Sequence, residues 1–326
     1  MAKKTFELTS KYDRDIYDWF SQTNKEINLR YGENPDQSAV LRKNKDKSII
    51  DNQIQGKEIS YNNISDIDSG LDFLSEFNEP TTVIIKHNNA CGVASSLTIK
   101  KSFLRAFKSD VQSAFGGVVL VNKKIDEDLA EIIIKNFFEV LVAPSFTKKA
   151  KEILSSKTKL ILINSKSIPK IKKETIKSVR MGSLLQKNDG VKISKYNFTT
   201  VSKKNKLSKR ESEDILFAFR VVKHIKSNAI VLVKNKQTVG IGAGQMNRYD
   251  ATKIAIMKYR ENFSYKNIVC ASDAFFPFID SLKLLIKNNC TCIVEPSGSI
   301  NDRKIVNFAN RKNIKLIFSS KRVFKH

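Results

Sequence analysis

Short β-branched runs alternating with helical patterns leave this chain few folds to choose from. Residues 83–85 (VII), 118–121 (VVLV), 140–142 (VLV) and 160–163 (LILI) are apolar and too short for helices. A second series follows at 229–233 (AIVLV), 268–271 (IVCA), 292–294 (CIV) and 316–318 (LIF). Between them lie helical patterns at about 66–77, 99–107, 125–135, after Pro144 through 154, 213–225, 249–259, 280–287 and 303–311. Strand–helix alternation of this kind predicts layered α/β structure rather than a sandwich. Residues 12–23 carry Ile16, Trp19 and Phe20 at helical spacing and read as a lead-in helix. Residues 59–63 (ISYNN) read as a short strand or turn entering the 66–77 helix, which Pro80 stops. The polar, lysine-rich stretch 187–209, with a turn at Asp189-Gly190, is read as a bridge between two subdomains, with a strand or two of its own.

A chain of 326 residues can bury a sizeable core, and 41% hydrophobic content suits a globular protein. No apolar stretch approaches the ~20 residues of a membrane span. The first residues, MAKKTFELTSKYDRD, lack the apolar core of a secretory signal. The cysteines, Cys91, Cys270, Cys290 and Cys292, form no CxxC pair, which points to free thiols in a reducing, cytoplasmic setting. The net charge of +25 raises nucleic-acid binding as a class. The lysines are scattered, however, and no stretch interleaves basic residues with stacking aromatics. A basic surface equally steers small polyanions into a cleft.

Chemistry concentrates in residues 83–94, VIIKHNNACGVA. Lys86 and His87 leave the end of an apolar run, Asn88 and Asn89 follow, and Gly92 is expected to close the turn. Strand ends are where open α/β sheets bind ligands. Taken alone, such a pair is more often a solvated loop than a proton-transfer pair. Arg30 and Tyr31 sit before Gly32 and Asn34-Pro35 on a constrained loop. Gly116 and Gly117 open the 118–121 strand, which allows either a close ligand approach or a bulge. Gly240, Gly242 and Gly244 are spaced GxGxG before a helix, weak evidence for a dinucleotide but suited to an anion or polar amide. Phe275, Phe276 and Phe278 around Pro277 make either core or an apolar slot for a flat heterocycle.

Taken together and in order, LRYGENPDQ, ISYNNISDID, KHNNACGVA, SAFGGV, RMGSLLQ, KSNAIVLVKN, VGIGAGQMNR, SDAFFPF, EPSGSINDRK and RVFKH resemble the transformylase domain of the bifunctional AICAR formyltransferase/IMP cyclohydrolase family. The resemblance runs from about Asn28 to His326. It implies an α/β, three-layer fold of two cytidine-deaminase-like subdomains, over 28–195 and 196–326, behind a lead-in segment 1–27. It further implies formyl transfer from 10-formyltetrahydrofolate to the 5-amino group of AICAR at the interface of a homodimer. By the same resemblance Lys86, His87 and Asn228 are catalytic. Arg30, Tyr31, Arg248, Arg322 and Phe324 fall on nucleotide-binding positions, with Phe115, Gly116 and Gly117 nearby. Asp273, Phe275, Phe276, Pro277 and Asp280 fall on the reaction and folate side.

Two positions depart from the family pattern: Ala90 replaces a proline, and Val323 stands where many members have histidine. His326 is kept. Zinc deaminase chemistry needs HxE and PCxxC, and neither occurs, so no zinc and no metal ligands are expected; the resemblance leaves room for a monovalent cation. Neither a nucleic acid nor a membrane is expected as a partner. The rival readings are a basic nucleic-acid-binding protein and an inactive homologue; retention of Lys86, His87 and Asn228 argues against the second. Only about 27 residues precede the transformylase motifs, so ring closure to IMP is expected to need a separate cyclohydrolase.

Overall fold

The apolar runs become the central strands of two sheets. A computed structural model describes residues 2–21, 26–43, 48–166, 168, 174–188, 190 and 192–326. In chain order the first half comprises α1 (Ala2–Ser21), β1 (Glu26–Leu29), β2 (Ala39–Arg42), β3 (Gln53–Gln55), α2 (Tyr61–Leu74), β4 (Thr81–Lys86), β5 (Asn89–Ser95), α3 (Ile99–Ser109), α4 (Val111–Ala114), β6 (Val118–Val121), α5 (Glu127–Ile133), β7 (Val140–Ala143), α6 (Lys148–Leu154) and β8 (Ile161–Asn164). Then come β9 (Glu174–Val179), β10 (Gly182–Lys187), β11 (Phe198–Thr200), α7 (Lys209–Val222), β12 (Ile230–Val233), β13 (Thr238–Gly242), α8 (Arg248–Asn262), β14 (Ile268–Ser272), α9 (Asp280–Lys287), β15 (Cys290–Pro296), α10 (Asp302–Arg311) and β16 (Lys315–Ser319).

The first sheet has the order β3-β8-β7-β6-β4-β5 and the second β11-β16-β15-β14-β12-β13. In each, three consecutive strands are parallel (β6, β7, β8; β14, β15, β16) and the flanking pairs are antiparallel. All four residues of β6, β7 and β12 are buried, because helices cover both faces. One face of the first sheet packs on Phe103, Leu129 and Leu154 of α3, α5 and α6. The matching face of the second packs on Ile256, Leu282 and Ile305 of α8, α9 and α10. The opposite faces of both sheets share a single core with α2 and α7, through Phe73, Ile215 and Phe219. Each half is therefore a three-layer α/β arrangement. A fully buried Ile, Leu or Phe contributes roughly 1.5–3 kcal/mol. Exposed ion pairs contribute ~0–1 kcal/mol, so the shared core is what joins the halves.

The structure corrects several expectations. The lead-in helix spans Ala2–Ser21 rather than beginning at Tyr12, since no Gly or Pro interrupts it; Thr23 lies outside the described residues. Residues 59–63 are neither strand nor turn. Ser60 caps α2 in a reciprocal box with Asn63, so the helix begins at Tyr61. Gly92 does not close the turn after Lys86 but lies inside β5. The first two glycines of the GxGxG segment answer to packing. Gly240 and Gly242 belong to β13, where a Cβ would run into the carbonyl oxygens of Ala255 and Ala251 on α8; glycine is there for strand–helix closeness. The β9–β10 hairpin was not expected, because its turn at Arg180-Met181 has no turn-forming dipeptide, and Met181 takes a positive φ of 65°. Within 187–209 the expected strand or two are, among the described residues, β11 and the last residue of β10, Lys187; Asp189 lies outside them.

Candidate active site

The site grows from the β4–β5 hairpin. Lys86 pairs with Asn89, leaving His87 and Asn88 as a two-residue turn with φ of 52° and 62°. Two positive φ values define the type I′ turn, whose twist matches paired strands. Asn tolerates this region and His less so, at a cost on the order of 1 kcal/mol per residue. Helix α2 supplies the compensation. Asp66 Oδ1 accepts the Asn88 N–H at 2.6 Å, Ser65 Oγ donates to Asn88 Oδ1 at 2.8 Å, and Ser69 Oγ donates to the Asn88 carbonyl at 3.1 Å. Burial raises the Asp66 carboxyl above its ordinary value, while the turn N–H groups and the charges of His87 and Lys86 pull it back. His87 itself is exposed.

Lys86 is tied down by the loop before β6. Its Nζ donates to the carbonyls of Phe115 at 3.2 Å and Gly116 at 3.0 Å. Gly116 takes a φ of +64°, which turns its carbonyl toward the lysine. The Phe115 ring is exposed and tilted against Phe137 at 5.0 Å. Gly117 is buried beneath Ala114 and Ile85.

On the far side stands the segment entering β12. Asn89 Oδ1 accepts the Lys226 N–H at 3.2 Å, which brings the hairpin up to it. Two residues on, the half-buried Asn228 donates from Nδ2 to the carbonyls of Gln245 at 2.8 Å and Met246 at 3.3 Å. Between the hairpin and β13 a cavity of about 290 Å³ is lined by Lys86, His87, Asn89, Cys91, Asp110 and Lys258 among others. Asp110 and Lys258 pair across it at 3.0 Å, and neither was singled out from the sequence. Burial pushes the Cys91 thiol up to about 12, so it is no nucleophile at neutral pH.

A second cluster lies next to Asn228. Ser227 Oγ donates to Asp273 Oδ2; Arg248 donates to Asp273 Oδ1 at 2.6 Å and to Ser272 Oγ at 2.8 Å. Arg248 and Asp273 are both buried. The C-terminal segment locks onto this cluster, with Val323 N–H donating to the Asp273 carbonyl at 3.2 Å and Ser227 N–H to the Lys325 carbonyl at 2.9 Å. Val323 is itself buried, while Arg322 lies over the Phe324 ring at 4.9 Å and the Phe324 and His326 rings meet tilted at 5.4 Å.

The remaining residues are scattered. Phe276 is fully buried in the core, and its N–H goes to Glu295, so its ring lines no open slot. Phe275 and Pro277 are half-buried, Phe278 is exposed, and Asp280 is exposed in the first turn of α9. Arg30 and Tyr31 stack at 4.5 Å, on a loop tied to α2 by Asn62 donating to the Glu33 carbonyl at 3.1 Å. Among the described residues no hydrogen bond or ion pair joins either to Lys86 or His87.

Comparison with known proteins bears on this geometry directly. The family described as the AICARFT/IMPCHase bienzyme matches residues 1–258. The bifunctional purine biosynthesis protein PurH of Caldicellulosiruptor bescii is 43% identical over all of this chain and 67% of its own length. The PurH proteins of Chlorobium phaeobacteroides and Buchnera aphidicola subsp. Baizongia pistaciae are 40% and 41% identical, again over the whole chain and over 66% and 67% of their own lengths. The chain thus spans about two thirds of the relatives it matches. Matched by the family over most of its residues, and by relatives over all of them, the chain belongs to the AICARFT/IMPCHase bienzyme family of purine biosynthesis.

Proposed function

We propose that this chain transfers the formyl group of 10-formyltetrahydrofolate to the 5-amino group of AICAR, giving 5-formamido-AICAR and tetrahydrofolate. Of the two activities borne by its relatives, formyl transfer is the one these residues fit. The observation that carries the reading is the Lys86–His87 pair at the tip of a rigid hairpin, lining a cavity bounded on the far side by β13.

In this reading the amine nitrogen attacks the formyl carbon and the carbonyl becomes a tetrahedral oxyanion. The bond from that carbon to folate N10 then breaks, the amine proton leaves, and N10 gains a proton. The amine is conjugated with its ring and carboxamide and is a weak nucleophile, so a positioned base matters. The exposed His87 imidazole takes the amine proton. Lys86 spends two of its three N–H donors on Phe115 and Gly116, and the third serves the oxyanion. Asn228 commits Nδ2 to backbone carbonyls, leaving Oδ1 to accept from the amine and orient it. Asp273 already neutralises Arg248. The exposed Arg30 and Arg322 therefore take the 5′-phosphate, each with an aromatic ring beside it.

The purified chain, given AICAR and 10-formyltetrahydrofolate, is expected to produce tetrahydrofolate. His87→Ala and Lys86→Ala are each expected to lower turnover by ~10²–10⁴-fold while AICAR still binds. Near wild-type turnover in either variant would remove it from the mechanism.

A further inference from the structure

Residues 60–93 and 208–241 are two copies of one unit. Each opens with a serine in a reciprocal capping box, Ser60 with Asn63 and Ser208 with Glu211. Each continues through a 14-residue helix, α2 or α7. Each ends in a hairpin with the same register, including one extra residue on the second strand: Ile85 pairs with Ala90 and Ile84 with Gly92, as Val233 pairs with Thr238 and Leu232 with Gly240. Both turns hold two residues at positive φ, His87 and Asn88 in one, Asn235 (52°) and Lys236 (55°) in the other.

The copies share one further device. Asp66 and Asp214 occupy the same position in the second turn of their helices, and both are buried. Asp66 receives the Asn88 N–H at 2.6 Å; Asp214 receives the Asn235 and Lys236 N–H groups at 2.8 Å and 2.6 Å. Around the turns the copies diverge. The second turn is plugged: Arg105 donates to the Asn235 carbonyl, and Lys236 pairs with Glu79 at 2.8 Å. At the first, the imidazole of His87 is left exposed at the cavity.

We propose that Asp66 is a positioning residue for formyl transfer: its carboxylate, fixed on α2, clamps the His87–Asn88 turn and thereby sets where the His87 imidazole points. This rests on the functional reading above. It goes beyond that reading because Asp66 touches no reacting atom and acts only through the turn. The twin clamp at Asp214 performs the same backbone task where there is no chemistry, so it separates the two roles.

Asp66→Asn and Asp214→Asn each remove the charge while keeping one acceptor oxygen. Asp66→Asn is expected to lower kcat roughly 10- to 100-fold, since misplacement by about 1 Å can cost ~10²-fold, with KM for AICAR within about threefold. Asp214→Asn, which gives up one of two backbone hydrogen bonds, is expected to lower the melting temperature at least as much and to leave kcat unchanged. A Ser65→Ala/Ser69→Ala double variant, which loosens only Asn88, is expected to lower kcat several-fold and carries the test if Asp66→Asn does not fold. Asp66→Asn with kcat within twofold of wild type would overturn the proposal, as would equal kcat losses in the two aspartate variants. Should wild type itself transfer no formyl group, the functional reading fails instead. The clamp is then decided by the NMR resonances of the His87 ring, which are expected to move in Asp66→Asn and in the double variant and to stay put in Asp214→Asn. Unmoved resonances in the first two would overturn it.

Discussion

Glu295 shows how a single carboxyl can set the pH response of this chain. It lies fully buried on β15, with Oε2 accepting the Phe276 N–H and Oε1 without a hydrogen-bond partner among the described residues. Burial pushes it up to about 8 against the pull of the Phe276 N–H, with Asp302 adding to the rise. At neutral pH the folded chain therefore keeps a proton that the unfolded chain, at an ordinary value near 4.5, has released. The folded state binds more protons throughout that interval, so stability falls as pH climbs from about 4.5 to 8, by on the order of 1 kcal/mol per pH unit at most. Glu295→Gln still accepts the Phe276 N–H and never ionises. Its melting temperature is expected to vary less between pH 5 and 8 than that of wild type, and parallel slopes would show that another group governs the response. Among single residues, Lys86 and His87 drew notice at the end of an apolar strand, and the family resemblance alone gave them a catalytic part. Asp66 and Glu295 drew none, because their partners are backbone N–H groups, which leave no mark in composition.

Elements were read best where burial is two-sided. The runs at β6, β7 and β12 announce themselves by β-branched composition alone. The β4–β5 turn was misread because His87-Asn88 is not one of the common I′ dipeptides; tertiary bonds from α2 hold it there instead of intrinsic preference. Glycines in strands were misread for a related reason, since the helix backbone that demands them is distant in sequence. Gly240→Ala sets a methyl group against the Ala255 carbonyl. The overpacking costs ~1–3 kcal/mol, outweighing the ~0.4–1 kcal/mol that Gly→Ala gains from a stiffer unfolded chain. Denaturant midpoints are expected to drop for Gly240→Ala but not for Gly182→Ala on β10, where nothing lies within 4 Å of the added carbon. Equal midpoints for the two variants would mean that β13 can lift from α8.

At the scale of the molecule, the β9–β10 hairpin pairs with no other strand among the described residues and exposes Ile176, Leu184 and Leu185. A two-stranded hairpin is marginal alone in water, and a second copy of the chain covering it is the partner we propose. Sedimentation at assay concentration is expected to give an active dimer, and Leu184→Glu with Leu185→Glu a weaker one; a fully active wild-type monomer would exclude the idea. The family resemblance implied two like subdomains, but the duplication left little trace residue by residue: of residues 60–93 only Ser60, Asp66, Ile67, Val83, Lys86 and Gly92 recur at the matching positions Ser208, Asp214, Ile215, Val231, Lys234 and Gly240. Everything else was replaced by residues of similar burial. The two copies meet edge to edge, with Ala94 bridged to Gln237, Ser95 N–H on the Lys236 carbonyl at 2.9 Å and Arg105 donating to Ser95 and Asn235. Toward Asn89 the same edges part to form the cavity. Pinned at one end by Ala94 and Gln237 and bridged at the other by Asn89 to Lys226 and by Asp110 to Lys258, the two edges act as a frame braced at both ends. A ligand entering between the braces meets walls from both sheets, so the shape of the site is held by the whole molecule and not by one loop.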